Sequence, residues 1–287
     1  MRLPSWLARH LAALRVLVLL TVLTGIGYPL LVTGVGQLPG LRDKADGSLL
    51  RVGGTTVGSA LIGQSFVDKD GTALARYFQS RPSAAGADGY DPTATGASNL
   101  GPESIVDTPG RPSLLTQVCA RSKAVGELEG VDGRRPYCTA GGVGAVLAVF
   151  HRARAGSPVT RVVSLNEPCP AVPFVDTYAG VAVACARSGE DYAAGTVTPV
   201  RGTAPDTPAV PADAVTASGS GLDPEISPAY ARLQAPRVAR ARGIDPATVQ
   251  ELIDAHTTGR ALGFLGEPAV NVVELNLDLD RRHPAHS

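Results

Sequence analysis

The sequence of 287 residues predicts an α+β fold behind a single N-terminal transmembrane helix. Three observations predict it. Residues 16–36 carry no charged side chain, and Cys119, Cys138, Cys169 and Cys185 all lie beyond that run. The remainder mixes strand-like and helix-like patterns without regular βαβ alternation. Composition agrees: 44% of residues are hydrophobic and only 18% are charged, a dilution that a membrane segment partly explains. The 26 basic residues are balanced by 26 acidic ones. A nucleic-acid partner would call for a basic excess, so that class is set aside. The apolar share likewise excludes a largely disordered chain.

The run VLVLLTVLTGIGYPLLVTGVG (16–36) spans about 32 Å as a helix, at roughly 1.5 Å per residue, against about 30 Å of hydrocarbon. A signal peptide has a shorter apolar region, of about 7–15 residues, followed by an A-x-A-like site. None follows here, so the run reads as an uncleaved anchor. Arg2, Arg9 and Arg15 precede it, and the mixed set Arg42, Asp43, Lys44 and Asp46 follows. The positive-inside rule then places residues 1–15 in the cytoplasm and 37–287 outside, on a single-pass plasma-membrane protein in contact with lipid. Thr21 and Gly25 sit four residues apart, which lets a second helix approach closely. Tyr28 and Pro29 extend that packing face, and Pro29 is expected to kink the helix.

An even number of cysteines in an oxidising compartment predicts disulfides, with three connectivities open. The sequential pairing, Cys119 with Cys138 and Cys169 with Cys185, is the first expectation. Each bridge would close a loop of about 15–20 residues and contribute about 3 kcal/mol. A zinc site is the alternative, but CxxC spacing is absent.

Residues 53–66 read as one or two short strands with a glycine turn. Residues 77–102, YFQSRPSAAGADGYDPTATGASNLGP, are too long and turn-rich for a passive connector. Tyr77, Phe78 and Tyr90 are the anchors of a packed loop. Strands are expected within 141–150 and 159–165, and a Pro- and Thr-rich linker over 196–211. Ser227-Pro228 starts a helix that Pro236 is expected to break or kink. Asp245-Pro246 starts another, with Val249, Leu252, Ile253 and His256 on one face and Gly259 at its close. His256 reads as a packing residue. Val273, Leu275, Leu277 and Leu279 alternate with Glu274, Asn276, Asp278 and Asp280, which predicts a strand with one buried face.

Phosphate-loop, dinucleotide, zinc-protease and nucleophile-elbow motifs are absent. One constellation stands out: Thr216, Ser218, Gly219, Ser220, Gly221 and Asp223. Backbone N–H groups in such a turn can cradle an anion, although no lysine accompanies them. A hydrolase built on Ser218 or Ser220 lacks an adjacent base. The residues alone therefore give an anchored α+β domain with no catalytic set, metal site or cofactor. An anchored surface enzyme or binding domain unrelated to transport is the competing class.

Six stretches carry a resemblance: GIGYPLLVTG (25–34), GSALIGQSF (58–66), YFQSRPSA (77–84), YDPTATGASNLGP (90–102), VPADAVTASGSGLDPEISPAYARLQAPRVARARG (210–243) and GRALGFLGEPAVNVVELNLDLD (259–280). In this order they resemble the KdpC family, the C subunits of Kdp-type potassium-transporting ATPases. Residues 103–209 depart from the family pattern as an insertion that holds all four cysteines. The resemblance implies a non-catalytic accessory subunit of a potassium uptake complex. Its implied partners are a channel-like subunit, a P-type ATPase subunit that uses ATP and Mg, and a small membrane subunit. The family's C subunit is described as a catalytic chaperone that raises the affinity of the ATPase subunit for ATP. That role would fall on Gln234 and the 216–223 turn. A domain outside the membrane does not meet cytoplasmic ATP, so topology and role pull apart, and the topology is preferred.

Overall fold

The computed structural model describes residues 4–95, 104–153 and 156–284. The chain divides into two compact units, residues 1–61 and 62–287.

The first unit opens on an apolar helix over Ser5–Gly36, 32 residues long and apolar enough to cross a bilayer. It is built from α1 (Ser5–Val22), a π turn (Leu23–Gly27) and α2 (Tyr28–Gly36). The π turn has a local cause. Pro29 has no N–H to offer Gly25, and its ring crowds that carbonyl. Widening the preceding turn, so that Tyr28 N–H bonds Leu23 O, removes the clash and keeps the helix continuous. A short α3 (Arg42–Ala45) leads to a hairpin of β1 (Leu49–Val52) and β2 (Thr55–Ser59). Its turn is Gly53-Gly54, both at positive φ. The first of the expected strands thus lies ahead of residue 53.

In the second unit, α4 (Leu114–Glu129) is capped by Ser113, whose hydroxyl accepts from Thr116 N–H, and ends on left-handed Gly130. A five-stranded sheet follows: β3 (Val146–His151), β4 (Val159–Pro168), β5 (Thr177–Tyr178), β6 (Val181–Ala186) and β7 (Thr196–Pro199), in the order β5-β6-β4-β3-β7. Only β4 and β6 run parallel. Leu147, Val149 and Val162 are buried on one face and Ala148, Val163 and Ala186 on the other. Two-sided burial is why 145–149 reads as an unbroken apolar run. The expected linker over 196–211 is corrected at its start. Thr196, Val197 and Thr198 are good strand formers, and they pair with β3.

Cys119 is bonded to Cys138, tying α4 to the approach to β3, and Cys169 to Cys185, tying the end of β4 to β6. Residues 103–209 do not form one structural piece. Val118 and Val125 of α4, and Val131 just after it, pack against the other core of this unit, whereas the sheet has its own apolar clusters.

That other core is formed by β8 (Glu225–Ile226), α5 (Pro228–Arg242), α6 (Pro246–Ala255), β9 (Thr257–Thr258), β10 (Ala269–Asn271) and α7 (Val272–Arg282), with strand order β8-β10-β9. Ser227 caps α5 through Tyr230 N–H, and Asp245 caps α6 through Ala247 N–H. Pro236 does not end α5, which runs on to left-handed Gly243. Tyr230, Ala231, Ala235, Val238 and Ala239 are buried along it, and that packing outweighs one missing hydrogen bond. Helix α6 stops at Ala255 rather than Gly259, with His256 as its C-cap. His256 is half-buried, and its Nε2 lies 3.1 Å from Asp278 Oδ2 of α7.

The strand expected over 273–279 is a helix. Asn271 caps it by accepting from Glu274 N–H. Val272, Val273, Leu275, Asn276 and Leu279 are the buried set, spaced as a helix face. Alternation of polar and apolar residues coincided with that spacing at Val273, Leu275 and Leu279, and the cap decides between the two. Leu275→Ala should cost about 2–5 kcal/mol, with Leu277→Ala costing clearly less, in chemical denaturation of the full chain. Equal losses would restore the strand reading.

Candidate functional site

The residues singled out in the sequence meet around one segment, 75–83. This stretch has no regular secondary structure, yet Phe78 and Gln79 are buried. Backbone N–H and C=O groups left unpaired in such a place cost about 1–3 kcal/mol each. Side chains from two helices supply the partners. From α7, Asn276 Oδ1 accepts from Phe78 N–H at 2.9 Å, and its Nδ2 donates to Phe78 O at 2.9 Å. From α5, Gln234 Oε1 accepts from Gln79 N–H at 2.6 Å, and its Nε2 donates to Gln79 O at 3.0 Å. Each amide copies the donor–acceptor pair of a neighbouring strand, so consecutive residues are gripped by different helices.

Two arginines of α5 take the carbonyls upstream. Arg237 donates to Ala75 O (2.6 Å) and Tyr77 O (2.9 Å), and Arg242 to Arg76 O (2.7 Å). Arg237 also bonds Gln234 Oε1, fixing which way that amide points. Its charge is met by Glu129, the last residue of α4, at 2.9 Å, with side-chain exposures of 6% and 1%. Burial pushes the Glu129 carboxyl above its usual range, against the pull of Arg237. Arg242 is wholly buried against Asp280 and lies 5.0 Å over the Tyr77 ring.

Downstream, the segment meets the hydroxyl-rich turn. Arg81 pairs with Asp223 at 2.9 Å and reaches Thr216 O. Ser83 donates to Gly221 O at 2.6 Å and accepts from the N–H groups of Ala85 and Tyr90. Tyr90 donates its hydroxyl to Arg81 O, and burial pushes its pKa up to about 12, so it remains a donor. The fit demands glycine at two places. A Cβ on Gly63 would come within 2.3 Å of the Tyr90 ring, and one on Gly221, at φ +72°, within 2.8 Å of Ala85.

The structure therefore brings Thr216, Gly221 and Asp223 to Arg81 and Ser83. Gln234 joins the same segment two residues upstream, through Gln79. Ser218, Gly219 and Ser220 form the outer rim of the turn. The Ser218 and Ser220 hydroxyls accept from Gly221 and Leu222 N–H, so those donors are spent inside the turn. Gln234 is fully buried, with its amide engaged on Gln79 and Arg237. Chemically, the arrangement closes a backbone rather than opening a reaction centre. A groove of about 440 Å3 runs beside it, lined by Phe66, Arg81, Tyr90, Arg121, Val125 and Tyr230 among others. Among the described residues, no group of His, Cys, Asp and Glu side chains is placed to hold a metal ion.

Sequence reasoning missed Asn276, Arg237 and Arg81. The signal for Arg237 was its position three residues after Gln234, on the same helix face. Gln234→Leu should cost about 2–6 kcal/mol, because it strands the Gln79 N–H and C=O in the core. Chemical denaturation of the full chain measures this, and unchanged stability would remove the clamping role.

The family model for KdpC, described as the K+-transporting ATPase c chain, matches residues 10–134 and 184–281. Between these matches lie 135–183, which hold β3, β4 and β5. The potassium-transporting ATPase KdpC subunit of Mycobacterium tuberculosis H37Rv is 39% identical over 271 residues, covering 94% of this chain and 97% of the relative. That of Kineococcus radiotolerans is 38% identical over 270 residues, with 93% and 92% covered. That of Caulobacter vibrioides is 39% identical over 267 residues, with 93% and 89% covered. Matches of this extent run from the apolar helix through the Gln234 and Asn276 clamps to α7, and the chain belongs to the KdpC family, the c chain of potassium-transporting ATPases.

Proposed function

We propose that this chain is a non-catalytic accessory subunit that assembles with the channel-like and P-type ATPase subunits, and a small membrane subunit, of a potassium uptake complex. The observation that carries the reading is how the polar residues are used. Gln234, Asn276, Arg237, Arg81 and the 216–223 turn are committed to holding the fold, so the domain acts by its shape and contacts. Nucleotide and Mg belong to the ATPase subunit in this reading.

The orientation proposed is residues 1–15 inside, 16–36 in the membrane and 37–287 outside. Arg9 and Arg15 on the short side of the span, and two disulfides beyond it, support that direction. The membrane contact proposed is the face bearing Thr21, Gly25, Tyr28 and Pro29, on and around the π turn. Gly25 suits such a face. A Cβ there would meet nothing nearer than its own helix neighbour Thr21, at 4.0 Å.

This spare room makes the test clean. Gly25→Leu places its Cβ in open space and should reduce copurification of the channel-like subunit from detergent by about tenfold, the factor that roughly 1.4 kcal/mol represents. Unchanged assembly and potassium transport would rule out this packing face.

A further inference from the structure

The groove beside the clamped segment holds two polar groups that the fold leaves unused. Its walls include α4, parts of residues 65–83 and the start of α5. Tyr230 stands in the first turn of α5 and is only 2% exposed. Among the described residues, every wholly buried side-chain nitrogen or oxygen has a hydrogen-bond partner. The Tyr230 hydroxyl has none among them, so its oxygen lies in the small part of the residue that faces the groove. Tyr90, by contrast, spends its hydroxyl on Arg81 O. Burial pushes the Tyr230 pKa above the usual tyrosine range, so the group stays protonated and offers its O–H to an acceptor.

Arg121 of α4 is the second group. It is half-buried and donates to Val215 O at 3.1 Å and Gln117 Oε1 at 3.2 Å, both neutral acceptors. Burial lowers its pKa, and among the described residues no carboxylate pulls the other way. Arg81, the other arginine of the groove, is neutralised by Asp223. None of the described lining residues is Asp or Glu. The groove therefore carries one uncompensated positive charge, which an anion would answer. Phe66, Val125 and Leu128 make much of the remaining wall apolar.

We propose that this groove binds a small organic monocarboxylate, its carboxylate taken by Arg121 and the Tyr230 hydroxyl and its apolar body laid on Phe66, Val125 and Leu128. One unanswered charge and one unanswered hydroxyl match a monoanion with two acceptor oxygens. A phosphate brings more charge and more acceptors than these donors answer. A cavity of about 440 Å3 suits a ligand with a small apolar body. The inference stands apart from the assembly reading.

The probe is 4-fluorobenzoate, titrated into the full chain in lipid nanodiscs and followed by fluorine NMR. Affinity of about millimolar strength is expected for so small an acid. Tyr230→Phe should weaken it about tenfold, and Arg121→Gln at least as much. Because the Tyr230 hydroxyl bonds nothing in the fold, Tyr230→Phe should keep the wild-type melting temperature. A lowered melting temperature would show that the hydroxyl serves the fold and would overturn the proposal. Equal binding by wild type and Tyr230→Phe would place the probe elsewhere, lipid included, and overturn it. Equal binding of the neutral 4-fluorobenzamide would do the same, because the charge would then go unread. Displacement by equimolar inorganic phosphate would make this a phosphate site and overturn the monocarboxylate. No binding at about 10 mM probe, tenfold above the expected affinity, would leave the groove a product of packing and end the proposal.

Discussion

A buried stretch of irregular backbone sets the terms for the second unit. Phe78 anchors the core beside α5 and α7, and with it come the amide and carbonyl groups of residues 75–81. Among the described residues, no strand lies alongside to pair with them. Helix α5 therefore carries Gln234, Arg237 and Arg242, and α7 carries Asn276, each aimed at a named backbone atom. Buried polar side chains are costly unless satisfied, and these are satisfied by the groups that need them. The arrangement also makes the two helices interdependent, because one segment is held from both.

Buried arginines bring a second constraint, since an uncompensated charge in a core is far more costly than an unpaired amide. Arg242 is answered by Asp280 of α7, and Arg237 by Glu129 at the end of α4. Helix α4 is thereby fastened to the core by charge as well as by Val118 and Val125. The Cys119–Cys138 bridge then links α4 to the segment leading into β3 of the five-stranded sheet. Asn166 of β4 adds hydrogen bonds to Ile105, Asp107 and Gly144, so the approach to α4 and the sheet share one polar joint. The sheet is a separate apolar body, yet its attachment leads back to the helix that neutralises Arg237.

Features whose causes are local were legible in the sequence. Ser227-Pro228 and Asp245-Pro246 start helices because cap and proline act within four residues. The uncharged run at 16–36 and the anchors Phe78 and Tyr90 were readable for the same reason. The sequential cysteine pairs were expected and are the pairs found. What was not legible depends on distant partners. Only the family resemblance singles out Gln234, and its bond to Gln79, far away in the chain, cannot be read from the residues around it. Asn276 sits in an alternating run that imitates a strand, and its helical setting follows from the Asn271 cap and from packing on Phe78. Pro236 looks like a helix breaker until the burial around it is counted.

On this account the second unit of this KdpC-family chain works as a rigid, internally committed body, and its polar motifs are the means of that rigidity. Hydrogen exchange at the Phe78 and Gln79 amides tests this most directly. Both lie in irregular backbone, and their only acceptors among the described residues are the side chains of Asn276 and Gln234. The account predicts exchange as slow as that of the buried amides of α5, requiring global opening. Exchange at the rate of an open loop would contradict it.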